Sequence, residues 1–145
     1  TLEFNCRLGD PETQPILMRL KTDLVDLLLA ATETGDRRKL DQFELQWDRR
    51  TALGVVLAAH GYPAAPRAGD TIASVPEPRE DAVVFHAGTR RDDAGVLCTS
   101  GGRVMCVTAL ADNVRQAQQR AYEVVREVHF DGAQYRRDIG HRATS

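Results

Sequence analysis

The sequence predicts an α+β fold: a strand and a helix at the start of the chain, then a small antiparallel sheet domain packed by a second helix. Three observations predict it. Residues 2–7 alternate apolar and polar; apolar residues recur every three or four positions over 16–28 and again over 114–128; and between these helical stretches, short apolar runs are cut by Gly and Pro. The 145 residues, 42% hydrophobic and 28% charged, suit one globular unit or the end of a larger protein.

In the opening strand Leu2, Phe4 and Cys6 point one way and Glu3, Asn5 and Arg7 the other. Residues two apart on a strand are separated by about 7 Å. A carboxylate and an amide oxygen at that spacing reach one hard cation between them, the way Mg²⁺ is held beside a polyphosphate. Arg7, one step on, offers a planar fork to a phosphoryl oxygen. The same alternation describes a half-exposed strand, so spacing alone does not choose. A strand that opens at Thr1 with no Met and no lead-in predicts a piece of a longer polypeptide, or one part of a split protein.

Gly9-Asp10-Pro11 breaks that strand. A long helix follows, with Ile16, Leu17, Leu20, Leu24, Leu27 and Leu28 on one stripe. Its start has two readings: Asp10 as N-cap with Pro11 in the first turn, or a start near Pro15 after a tight turn. In both, backbone N–H groups around 10–13 face an anion. Gly35 marks the end. Residues 36–46 read as a charged connection with a short helical turn, tacked down by Leu40, Phe43 and Leu45 and anchored by Trp47.

From Ala52 the pattern turns to sheet. Strands are expected at 53–58, 83–88, 96–99 and 103–108, with a turn at His60-Gly61-Tyr62-Pro63 and an extended piece that opens at Asp70-Thr71-Ile72 and is ended by Pro76 and Pro78. The last three read as an antiparallel meander, with 90–95 as a charged loop. Gly101-Gly102-Arg103 fits a hairpin turn that needs positive φ, and also a close backbone approach with Arg103 aimed at a phosphate; the two are compatible. A second helix is expected from Asp112, its N-cap, to a stop at Asp131-Gly132, with Val114, Ala117, Ala121, Val124, Val125 and Val128 on one face. The basic tail 135–142 reads as a last short strand.

Several function classes are excluded. A net charge of −2 gives no general pull toward nucleic acid or an anionic membrane. No apolar run approaches the roughly 20 residues of a membrane span, and no signal segment opens the chain. Three cysteines, Cys6, Cys98 and Cys106, form no CxxC pair, which predicts buried, reduced thiols in a cytoplasmic setting. The four histidines have no metal or triad spacing, and His86 reads as a hydrogen-bonded structural residue.

The opening words Glu3-Phe4-Asn5-Cys6-Arg7, then Gly9-Asp10-Pro11-Glu12-Thr13-Gln14, resemble the metal-binding strand of the ATP-grasp ligases, and within them the phosphoribosylamine–glycine ligase family. Leu-Lys-Thr-Asp-Leu (20–24), Leu-Gly-Val-Val-Leu-Ala-Ala (53–59) with Gly-Tyr-Pro (61–63), Phe-His-Ala-Gly-Thr (85–89), Gly-Gly-Arg-Val (101–104) and Tyr-Arg-Arg-Asp-Ile-Gly (135–140) extend the resemblance over the whole chain. It implies that residues 1–35 are the last strand and helix of an ATP-grasp region, 36–51 a linker, and 52–145 the small C-terminal domain. It implies an ATP-dependent ligase of de novo purine synthesis that joins glycine to 5-phosphoribosylamine through glycyl phosphate. Glu3 and Asn5 are then ligands of Mg²⁺ or Mn²⁺, and Arg7 is the catalytic cation. Asp10, Glu12 and Arg103 are the substrate-binding candidates. The implied partners are glycine, 5-phosphoribosylamine, ATP as co-substrate and the upstream part of the ligase, with no nucleic acid and no membrane. Leu8 departs from the aromatic residue usual in the family. The nucleotide-clamping strands are not in this chain, so the resemblance also implies that it does not bind ATP productively alone. Two other readings stand beside it: a different ATP-grasp ligase or carboxylase, and a non-catalytic interaction module.

Overall fold

The computed structural model describes residues 4, 6–32 and 40–144. Its core is built on a strand buried on both faces. β6 (Arg103–Ala111) has seven consecutive buried residues, 104–110, and lies between β1 (Thr51–Ala58) and β3 (Ala82–His86), antiparallel to each. A strand paired on both edges and covered on both faces leaves no backbone polar group unpaired, which is why an apolar run with little alternation is stable there.

The register sorts the side chains. Leu53, Val55 and Leu57 oppose Ala109, Val107 and Met105, and these residues form one face. Gly54 and Val56 oppose Thr108 and Cys106 on the other face, with Val83 and Phe85 of β3 continuing it. Helix α3 (Val114–Val125) covers the first face with Ala117, Ala121, Val124 and Val125, all buried in one apolar cluster with Leu53, Val55 and Leu57. Small residues on the helix let it approach the sheet closely. Helix α1 (Thr13–Arg19) covers the second face, where Gly54 makes room for Pro15: a Cβ on Gly54 would sit 3.3 Å from the proline ring. A short ladder of β2 (Ile72–Ser74) with β7 (His129–Phe130) and a separate ribbon of β4 (Thr89–Arg91) with β5 (Leu97–Thr99) complete the sheet structure of the described residues.

The structure corrects several expectations. The first long helix is two helices, α1 and α2 (Leu24–Thr32). Leu20 turns extended (ψ 119°) and bridges Trp47, and Lys21 N–H donates to Gln46 O at 2.9 Å, so a tertiary pairing takes the backbone groups that would have continued the helix. Asp23 then caps α2 through the Val25 N–H at 2.7 Å. The expected end of that helix, residues 33–35, lies outside the described residues. No residue of α2 is buried, and Leu40 and Leu45 are exposed. The 3₁₀ turn Leu40–Gln42 is the helical turn expected in the connection.

The meander is antiparallel but ordered differently. β3 pairs with β6, not with β5, because 89–99 folds away as its own ribbon, and the charged segment Arg90-Arg91 is a strand of it. The cap of α3 is Asn113, whose side chain accepts the Gln116 N–H at 3.0 Å, in place of Asp112. The helix ends at Val125, ahead of Asp131-Gly132, and His129–Phe130 then pairs with β2. The tail makes a single bridge, Gln134 to Ala58, and a 3₁₀ turn (His141–Ala143) in place of a strand. Cys98 and Cys106 are buried and free, whereas Cys6 is exposed.

Asp48 joins the two ends of this scaffold. Its N–H donates to Arg19 O at 2.7 Å, and its carboxylate takes two donors from the Arg50 guanidinium, at 2.8 and 3.1 Å. Those hydrogen bonds from Arg50 hold its carboxyl well below the usual carboxylate range. A depressed carboxyl pKa stabilises the fold above the unfolded value of about 4 and loses that stability as pH falls below it. Thermal unfolding from pH 7 to pH 2 therefore shows a falling midpoint below about pH 4. Asp48→Asn lowers the midpoint at pH 7 and flattens this acid limb. In the core, Leu57→Ala costs about 2–5 kcal/mol in denaturant unfolding, because Leu57 is fully buried against β6 and α3.

Candidate functional site

The second face of the sheet carries the site. The turn before α1 is held by its own backbone: Thr13 donates to Gly9 O through both N–H and hydroxyl. The expected anion-facing N–H of Thr13 is thus spent within the turn. Glu12 is exposed and makes no side-chain cap, and its carboxylate folds over Gly9 so closely that a Cβ there would lie 2.5 Å from Oε2.

The sequence-predicted residues Asp10 and Arg103, far apart in the chain, meet here. Arg103 Nη1 donates to Asp10 O at 2.8 Å, and its Nε stands 3.3 Å from Asp10 Oδ2. Gln14 Nε2 reaches Asp10 Oδ1 at 3.4 Å from the other side. Gln14 Oε1 is buried with no hydrogen-bond partner among the described residues. The aspartate is therefore held between strand β6 and helix α1. Arg7 is exposed and, among the described residues, bonds only its neighbour's carbonyl, Leu8 O, at 3.2 Å. Cys6 and Arg7 form a bend, and among the described residues 6–8 make no strand; a ladder needs a neighbour, and none of the described strands offers one there. Glu3 and Asn5 lie outside the described residues. Among the described residues no group of three His, Cys, Asp or Glu converges as a metal site.

Beside the Asp10–Arg103 clasp opens a cleft of about 450 Å³. Gly54, Val56 and Ala58 of β1 form its floor, Pro11 and Arg103 one wall, and Gln134, Tyr135, Arg136 and Ile139 the other, with Tyr62 at the edge. Gly102 stands against the Tyr62 ring, where a Cβ would fall 2.5 Å from a ring carbon, and Gly88 stands against Gly101, where a Cβ would fall 2.7 Å from Arg103 O. Neither Gly101 nor Gly102 has a positive φ. These glycines serve close approach, and the expected positive-φ hairpin turn is not what requires them. Below the floor, burial pushes the Cys106 thiol up, which keeps it a neutral core group. His86, exposed, pairs its Nδ1 with the Thr89 hydroxyl at 3.1 Å, as a hydrogen-bonded structural histidine does.

A family model, "Phosphoribosylglycinamide synthetase, C domain", matches residues 52–142. The chain belongs to that family. The matched span starts within β1 and runs through the tail that walls the cleft. Phosphoribosylamine–glycine ligase of Ralstonia nicotianae is 62% identical over 143 residues, covering 99% of this chain and 33% of the relative. The same-named protein of Escherichia coli O157:H7 is 54% identical, covering 98% and 32%. The crystal structure of phosphoribosylamine–glycine ligase from Thermotoga maritima superposes with a TM-score of 0.76 at 39% identity, over 95% of this chain and 32% of that one. The chain thus spans about a third of the length of the relatives it matches.

Sequence reasoning singled out Asp10, Glu12 and Arg103, and the structure brings the first and last into contact. It did not single out Gln14, Tyr62 or Arg136. Arg136 lay in a motif quoted for the resemblance, but nothing in its spacing says that the tail folds back on the same face as residue 10.

Proposed function

We propose that the chain is the C-terminal part of an ATP-dependent ligase that joins glycine to 5-phosphoribosylamine, giving glycinamide ribonucleotide, ADP and phosphate in purine biosynthesis. The observation that carries this reading is 62% identity over nearly the whole chain to a protein named for that ligation. The proposed division follows: 1–35 ends the ATP-grasp region, 36–51 links, and 52–145 is the C-terminal domain. A cytoplasmic setting, where Cys98 and Cys106 stay reduced, fits the same reading. Among the described residues no helix is long and apolar enough to cross a membrane.

In this reaction a glycine carboxylate oxygen attacks the γ-phosphorus of ATP and the bond to ADP breaks. The amine of phosphoribosylamine then attacks the acyl carbon, phosphate leaves and the amine gives up a proton. Glu3 and Asn5 supply one carboxylate and one amide oxygen, a hard donor pair that fits Mg²⁺ or Mn²⁺. The metal, when bound, supplies neutralisation of phosphate charge. Arg7, exposed, is the proposed cation that stabilises the phosphoryl group in transit. Asp10 is the group for the amine, since a carboxylate accepts hydrogen bonds from it and favours its approach. Glu12 stands beside it. Arg103 acts on the substrate side by fixing Asp10, with Nη2 left over for a substrate oxygen.

The test is glycine- and phosphoribosylamine-dependent ADP release. The chain alone is expected to be silent, and the complete ligase active. Glu3→Ala in the complete ligase lowers kcat/KM by about a hundredfold or more, the several kcal/mol a metal site supplies. A Glu3→Ala enzyme with parental activity would remove the metal assignment, and a silent, folded complete protein would remove the ligase reading.

A further inference from the structure

We propose that the cleft on the second face of the sheet seats the phosphoribosyl group of the amine substrate, with Arg136 as its phosphate contact. This rests on the ligase reading above and names which part of the chain holds which part of that substrate.

The cleft has the chemistry of a sugar phosphate in three zones. At one rim stands Arg103, which clasps Asp10 just behind the lining, and the reacting amine is assigned to that end. In the middle the floor is small and apolar, Gly54, Val56 and Ala58, a surface for the C–H face of a furanose. Around it Tyr62, Tyr135 and Gln134 carry side-chain polar groups that make no hydrogen bond among the described residues, and so are available to ring hydroxyls. At the far wall stands Arg136. Its Nε and Nη2 are taken by Asp138 at 2.9 and 2.7 Å, which fixes the plane of the guanidinium and leaves Nη1 without a partner among the described residues. A guanidinium held on one edge by a carboxylate presents its remaining N–H groups in a set direction, the condition for oriented phosphate binding.

The backbone that carries Arg136 is fixed as a binding wall must be. Ala58 and Gln134 exchange two backbone hydrogen bonds, at 2.7 and 2.9 Å. The Tyr122 hydroxyl of α3 donates to Arg136 O at 2.7 Å and accepts from Ile139 N–H at 3.1 Å. Gln118 of the same helix donates to Ile139 O at 2.7 Å. The segment is tied to the sheet at one end and to the helix at the other, while the Arg136 side chain stays 72% exposed. That combination of a fixed backbone and an open side chain is not needed for packing. Glycine, the other substrate, carries no phosphate for Arg136, whereas a pentose with a 5-phosphate is an elongated molecule with an amine at one end and a dianion at the other.

The experiment is calorimetry on the complete ligase with three probes, ribose 5-phosphate, ribose and inorganic phosphate, together with steady-state kinetics. Ribose 5-phosphate is expected to bind at least about tenfold more tightly than either of the others. Arg136→Gln weakens it by about tenfold to a hundredfold, the range of a charged hydrogen bond. The same substitution raises KM for phosphoribosylamine to a similar degree and leaves KM for ATP unmoved. Arg136→Lys recovers part of the loss. Ribose 5-phosphate binding equally to parent and Arg136→Gln, or no better than inorganic phosphate, overturns the proposal. The two readings fail separately. ADP release with an unmoved phosphoribosylamine KM in Arg136→Gln overturns the cleft and keeps the ligase. Arg136-dependent sugar-phosphate binding without ADP release overturns the ligase and keeps the cleft.

Discussion

Everything in this structure hangs on β6. Its seven consecutive buried residues leave it no place except the middle of a sheet covered on both sides. Met105, Val107 and Ala109 turn toward α3 and make the core, and Cys106 and Thr108 turn toward α1 and lie beneath the site. Its first residue, Arg103, leaves the core and holds Asp10. One strand therefore sets both the packing of the domain and the position of the turn in front of α1. A shift of register by one residue would put Cys106 and Thr108 into the α3 interface and carry Arg103 off Asp10.

The charges follow a common plan. Arg103 is clasped by Asp10, Arg136 by Asp138, Arg50 by Asp48, Arg120 by Asp81 and Arg79 by Glu127, at partly exposed positions except for the buried Asp48. The exposed pairs among them add only about 0–1 kcal/mol each to stability. Their consequence is directional: each removes the rotational freedom of a long side chain. For Arg50 the nitrogen left over stands 3.6 Å from Glu80, ahead of β3, and Arg103 and Arg136 line the cleft. The net charge of −2 conceals this, because the cations that matter are locally paired and not in excess.

Much of the fold was legible in the sequence because local pattern and tertiary context agree. The apolar runs at 53–58 and 103–108 are strands, and the Ala117-Ala121-Val124-Val125 stripe is the buried face of a helix. The misreadings share a cause. Leu20 ends α1 because Trp47 pairs with it, β5 leaves the main sheet because Thr89–Arg91 is there to pair with it, and the tail stops at one bridge because α3 takes its carbonyls. In each case a partner remote in sequence decided the outcome, and periodicity carries no information about remote partners. The site behaves the same way. Asp10 and Arg103 were visible as chemistry, but Gln14 and Arg136 become part of it only through folding.

The central claim is that Arg103 works through Asp10. A double-mutant cycle of Asp10→Asn and Arg103→Gln, read as kcat/KM for phosphoribosylamine in the complete ligase, tests it most directly. If the strand positions the turn through this contact, the double variant loses no more activity than the worse single variant. Losses that multiply independently would mean that the two residues act on the substrate separately, and the account of β6 as the strand that sets the site would be wrong.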